Sequence, residues 1–381
     1  MNVTSFKGLN NVADPLRLGP EWLVQADNVN ISNTGALVRR KGISLVRAGA
    51  FSSAYSTIDF SRMYIVDAGA LKTFEGTVLV SGLAAAPMFW CEVNNQVFYN
   101  NGVNRGIILP DNTVIDWAWP TPPAPTVAAV TGSLPAGHYQ VRCSYVLPDG
   151  RETGTSDAGE ITLGADSALQ LSAIPQVGGW KTNVYIAPAN SEVYQLAATT
   201  ANSALVWNSS PDQLGRDLLN IFLDPLPADT SVIQHWKGRI YAAMWMPAQD
   251  QTAVWFTEPL AFHLFNLNSN FFMVPGRVNM LAPHSDALLV GTAERVYAYD
   301  GKLTQLATYG VTPGQHWAKD DERILFWTTR GLCSSLPFDN LTEKSVSFAP
   351  GVSAGGTVVL SGGQKRYVVA LRQGGTAFNP Y

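Results

Sequence analysis

No stretch of this sequence runs far without a residue that breaks a helix. Its 33 glycines and 23 prolines, joined by many Asn and Asp, cut the chain into short apolar or alternating runs. Alternation with period two marks a strand with one buried face, and Gly, Pro, Asn and Asp between runs supply the turns. One segment, DQLGRDLLNIF at 212–222, has helical spacing through Leu214, Leu218, Leu219, Ile221 and Phe222. Gly215 weakens it, so a short helix is the most it predicts. Everything else reads as all-β.

Several runs share a shape in which a strand meets a turn and a second strand closes on an aromatic. They occupy 62–83, 95–117, 238–258, 286–310, 323–339 and 365–381. Asn101-Gly102 and Asp300-Gly301 are turn pairs that accept positive φ. Hairpins or four-stranded units recurring at roughly 40 residues predict the blades of a β-propeller. The repeat is degenerate and carries no WD or Kelch signature.

The middle of the chain differs. WPTPPAPTVAAVTG at 119–132 is a proline-rich entry. Beyond it, His138, Gln140, Arg142 and Ser144 alternate with Tyr139, Val141, Cys143 and Tyr145. More short strands follow, at the density of an immunoglobulin or fibronectin III-like sandwich. Blade-like sequence then resumes, so the sandwich is inserted in the propeller. The expected division is 1–119 for an N-terminal hairpin unit and first blades, 120–210 for the sandwich, and 211–381 for the remaining blades.

Chemistry is hard to find. There is no GxxxxGK[ST], GxSxG or HExxH. His138, His235, His263, His284 and His316 are scattered singly, which suits surface or satisfied core residues. Asp320, Asp321 and Glu322 read as a solvated turn, and Glu258 as a strand end, so no carboxylate pair stands out. Cys91, Cys143 and Cys333 lie far apart without CxxC, as buried free thiols do. Most of the eleven tryptophans fall in apolar runs and read as packing between blades. Trp117 and Trp119, two apart before the prolines, are placed to pin the sandwich to the propeller. No catalytic residue, cofactor or metal is predicted.

Charged residues make up 14% of the chain and the net charge is −4, against roughly 25% charged in an average domain. Such a surface suits a subunit that buries area against partners. No basic stripe predicts tight nucleic-acid binding. No basic-then-apolar leader opens the chain and no run approaches ~18 apolar residues, so neither a signal peptide nor a membrane span is expected.

The stretch DNVNISNTGALVRRKG at 27–42 predicts a hairpin: NVNI pairs with ALV, Asn33-Thr34-Gly35 turns, and Arg39, Arg40 and Lys41 mark the exit. With FKGLNN at 6–11 and ADNV at 26–29, GALVRRKG at 35–42 resembles the N-terminal pattern of the tail tubular, or nozzle, proteins of short-tailed bacteriophages. The resemblance is strongest over 6–42. It implies a propeller with sandwich-like insertions and a homohexameric ring in the virion tail, assembled in the host cytoplasm. Tail adaptor and other tail proteins would be partners, with DNA passing through without specific binding. Arg39, Arg40 and Lys41 are then expected to contact a neighbouring acidic subunit surface or to stay solvated, rather than grip DNA. The rival expectation is a tail-associated propeller that binds or cleaves glycans, which needs exposed aromatic rings beside polar residues.

Overall fold

The computed structural model describes residues 3–40, 42, 44–361 and 363–373. The protein is all-β, a β-propeller interrupted by an inserted β-sandwich. Blade 1 is built from Phe51–Ser56, Met63–Asp67, Ala70–Thr73 and Val78–Val80. Blade 2 uses Phe89–Val93, Gln96–Asn100, Arg105–Ile108 and Val114–Ile115. In blade 3, Thr230–Trp236, Arg239–Met246 and Gln251–Glu258 are followed by Ala261–Phe265 and Phe271–Pro275, both paired with the third strand. Blade 4 runs from Val278–Pro283 to Leu303–Ala307, and blade 5 from Ala318–Asp320 to Asp339–Asn340. A long two-stranded hairpin, Ser353–Ser361 with Gln364–Arg372, follows blade 5.

Blades stack face to face, and that explains the apolar runs. In Leu288–Thr292 every residue is buried. Leu288 and Val290 pack toward blade 3, whereas Leu289 packs toward blade 5. Successive side chains of a strand point to opposite faces, so a central strand needs apolar residues on both. Core clusters of this kind join blades 1 and 2, 2 and 3, 3 and 4, and 4 and 5. None joins blade 5 back to blade 1 among the described residues.

The terminal hairpin stands where the inner half of a sixth blade belongs. Ala354 N–H donates to Pro313 O at 2.8 Å and Gly356 N–H to Gln315 O at 3.0 Å, so the strand runs beside the entry to blade 5. Gly314 allows the approach: with φ 126°, a Cβ there would lie 2.1 Å from the Ala354 carbonyl oxygen. Among the described residues the hairpin's second strand pairs only with the first.

The sandwich spans the strands Thr126–Leu134 to Leu205–Trp207 in two sheets. Tyr139, Val141 and Cys143 enter its core with Leu169, Leu171 and Trp207. The segment 212–222 is not the short helix its spacing predicts. Only Pro211–Gln213 forms a 3-10 turn. Beyond it the backbone pairs along the sandwich edge: Gly215 N–H donates to Leu196 O at 2.8 Å and Leu218 N–H to Tyr194 O at 2.9 Å. Free edge groups of the sheet outcompete a helix that Gly215 weakens. Leu214, Leu218 and Ile221 still pack inward, from an extended backbone.

Candidate functional site

The hairpin at 27–42 forms as the sequence predicts. Val29–Ile31 pairs with Leu37–Arg39 in the register Val29 to Arg39, Asn30 to Val38 and Ile31 to Leu37. Gly35, at φ 80°, makes the turn, and Arg40 N–H donates to Asn28 O at 2.8 Å to close the mouth. Arg39 and Arg40 are both exposed and form no ion pair among the described residues. Lys41 lies outside the described residues.

The surroundings of these arginines form one surface drawn from both ends of the chain. Asn11 N–H donates to Ser345 O at 3.0 Å, and Ser347 N–H donates to the Asn11 side chain at 2.7 Å. Gln364 of the terminal hairpin bonds to Asn33. Among the described residues of 3–50 one is buried, Asn10. Residues 3–51 and 341–368 carry 15 of the 26 large apolar side chains exposed among the described residues, with Leu45 and Val46 at 80% and 81% exposure. So many exposed apolar side chains in two segments that touch each other suit an interaction surface.

Charge is segregated in the same way. Residues 1–50 contain six Lys and Arg against three Asp and Glu, and 351–381 contain three cations and no acid, a joint net charge of +6. The residues between, 51–350, hold 16 cations against 26 acids, net −10. A whole-chain charge of −4 conceals this division.

The second site is a cavity of about 190 Å³ where the sandwich meets blade 3. Glu152 organises it. Its carboxylate accepts from Arg216 Nη2 at 2.7 Å, from Tyr185 Oη at 2.7 Å and from Ser144 Oγ. Its backbone carbonyl accepts from His263 Nε2 of blade 3 at 2.9 Å, and the neighbouring Thr153 carbonyl accepts from Asn220. Burial, then the Glu152 carboxylate, pushes the Tyr185 phenol well above its usual range, and Glu152 raises Arg216. Burial lowers His263 and keeps it neutral near pH 7. Trp119 completes the junction, with the Arg151 guanidinium 4.7 Å from one ring centroid and His263 edge-on at 5.4 Å.

This network reads as a clamp between domains. Glu152→Ala leaves the Tyr185 hydroxyl without its acceptor and Arg216 unpaired, and the expected cost is about 2 kcal/mol. A thermal melt checks this, with Glu152→Gln recovering part of the loss. Sequence reading missed the clamp: Glu152 opens the short strand Glu152–Thr155, and its partner His263 is 111 residues away. No local pattern signals such a set.

The remaining predicted residues fall as follows. Asp320 pairs with Arg323 at 2.9 Å, while Lys365 of the terminal hairpin pairs with Asp321. Glu258 accepts from Asn270 at 2.7 Å. All three cysteines are free and buried, and burial pushes Cys143 up to about 12 and Cys333 up to about 11. His316 is fully buried, and His138 pairs loosely with Glu160 at 3.7 Å. None of the eleven tryptophans is exposed.

No protein-family model and no curated protein matches the sequence. Solved structures resemble it at low similarity. AztD from Citrobacter koseri is 12% identical with a TM-score of 0.29, over 88% of this chain and 91% of that one. A functionally unknown protein from Desulfotomaculum acetoxidans is 10% identical with a TM-score of 0.33, over 87% and 92%. The extracellular domain of BT4673 from B. thetaiotaomicron is 11% identical with a TM-score of 0.30; 83% of this chain is covered, and the match spans 36% of that one. None of these is a phage tail nozzle protein. At this level of likeness no activity carries over.

Proposed function

We propose that the chain is a structural subunit of a short-tailed phage tail, the nozzle or lower tail tube, with six copies in a ring around the DNA path. The observation that carries this reading is the unsheltered terminal surface. Ordering 3–50 costs on the order of 50 kcal/mol in conformational entropy. Burial within the chain offsets little of it, because Asn10 alone is buried there among the described residues. A partner surface supplies the missing burial, as assembly subunits require. The N-terminal resemblance over 6–42 names the assembly. The acidic stretch 51–350 suits a channel wall that repels phosphates and lets DNA slide. The function is passive, resting on shape, ring closure and a non-adhesive lumen, and needs no catalytic residue.

Electron microscopy of the assembled particle tests it. The expected result is a ring of this chain around an axial channel, next to a tail adaptor. A monomer with no channel and no phage partner overturns it. The glycan-binding alternative needs exposed rings beside polar residues; none of the eleven tryptophans is exposed, and the exposed rings among the described residues are phenylalanines such as Phe60 and Phe222.

A further inference from the structure

We infer that the basic terminal surface docks on the acidic sandwich of a second copy of this chain, head to tail. This deepens the assembly reading above and rests on it. The sandwich with its exit segment, 120–230, contains ten Asp and Glu against four Lys and Arg, net −6. The terminal segments carry +6. Asp157, Asp166 and Glu192 are exposed on the sandwich with no ion pair among the described residues, and Glu160 meets only His138. On the opposite surface Arg39, Arg40 and Arg372 are exposed and equally unpaired among the described residues.

The two surfaces do not meet within one chain. The sandwich is anchored on blades 2 and 3 through Trp117, Trp119 and His263. The terminal surface lies beyond blade 5, held by Pro313, Gln315 and Ser345. No hydrogen bond or ion pair links residues 3–50 or 341–372 to the sandwich among the described residues. Opposite charge on separate surfaces is satisfied between copies. Because the mating patches differ and are held at separate places on the chain, a head-to-tail contact between them is heterologous and propagates until a ring closes. Exposed Leu37, Val38, Leu45 and Val46 supply apolar area beside the cations. The charges set partner choice and orientation.

Sedimentation velocity on the full chain tests the pairing, using wild type, Arg39→Glu/Arg40→Glu, Asp157→Lys/Glu160→Lys, and all four changes together. All four sites are exposed, so melting temperature should stay near wild type and serves as the folding control. Wild type is expected to form species larger than a dimer, weakened by salt. Each reversed pair should weaken association about tenfold or more, and the combined variant should recover much of the loss. An acid-reversed variant that associates like wild type overturns this pairing, yet leaves a ring seen by microscopy standing. A closed wild-type dimer overturns the head-to-tail arrangement. So does duplex DNA binding lost on Arg39→Glu/Arg40→Glu without any self-association, which would assign the surface to nucleic acid.

Discussion

Trp117→Ala will cost about 5 kcal/mol and lower the melting temperature by roughly 10 °C. Trp117 is fully buried among Phe98, Phe262 and Phe265 in the cluster that joins blade 2 to blade 3. Phe98 meets its ring edge-on at 5.1 Å. Its indole Nε1–H donates to Phe262 O at 2.8 Å, which ties the chain before the sandwich to the chain after it. Alanine removes the ring, leaves a cavity and strands that carbonyl. Trp117→Phe keeps much of the packing and loses the hydrogen bond, so about 2 kcal/mol is expected. Blades 2 and 3 are held together through this cluster on either side of the insertion, so limited proteolysis of the alanine variant should cut near 119–125 faster than wild type. Equal melting of Trp117→Ala and wild type would show that the insertion is held by other contacts.

The contrast between Trp117 and Trp119 marks how far sequence reading reaches. Both fall before a proline-rich entry, and that position alone pointed to a pinning role. The structure gives each a different partner: Trp117 bonds to the propeller backbone, whereas Trp119 sits between Arg151 of the sandwich and His263 of blade 3. Local pattern was enough for elements formed by neighbours. The hairpin at 27–42 and the alternation of 138–145 depend on period and turn chemistry within a few residues. The segment 212–222 failed for a physical reason, since its backbone met an unpaired sheet edge that no local window reveals. The clamp at Glu152 was invisible for the same reason, because its parts come from distant strands. Charge segregation was present in the sequence, yet only the contacts of Asn11 and Asn33 with the C-terminal segments show that both basic ends form one surface.

Acidification from pH 7 toward pH 4 will remove about 3 kcal/mol of stability through His316. Its ring is wholly buried beside blade 5, where Nδ1 accepts from the Trp327 N–H at 3.0 Å and Nε2 has no partner among the described residues. Burial lowers its pKa to about 4, against about 6.5 in an unfolded chain. The neutral ring is therefore favoured in the folded state. Between those values the unfolded chain binds the extra proton, so stability is full above about pH 6.5 and falls by about 1.4 kcal/mol per pH unit down to about pH 4. His235 and His263 are lowered by burial too and add the same sign in the same window. The hydrogen-bonded carboxylates act lower: Thr57 and Ser61 hold Asp59 at about 2, below the histidine range. His316→Asn isolates the contribution, because an Asn oxygen can still accept from the Trp327 N–H and does not titrate. Thermal melts of the two proteins at pH 7 and pH 5 should converge as pH falls, with the variant losing less. Parallel pH curves would show that His316 is hydrated or titrates near its ordinary value, contrary to its burial beneath the terminal hairpin, where Tyr367 Oη bonds to its carbonyl.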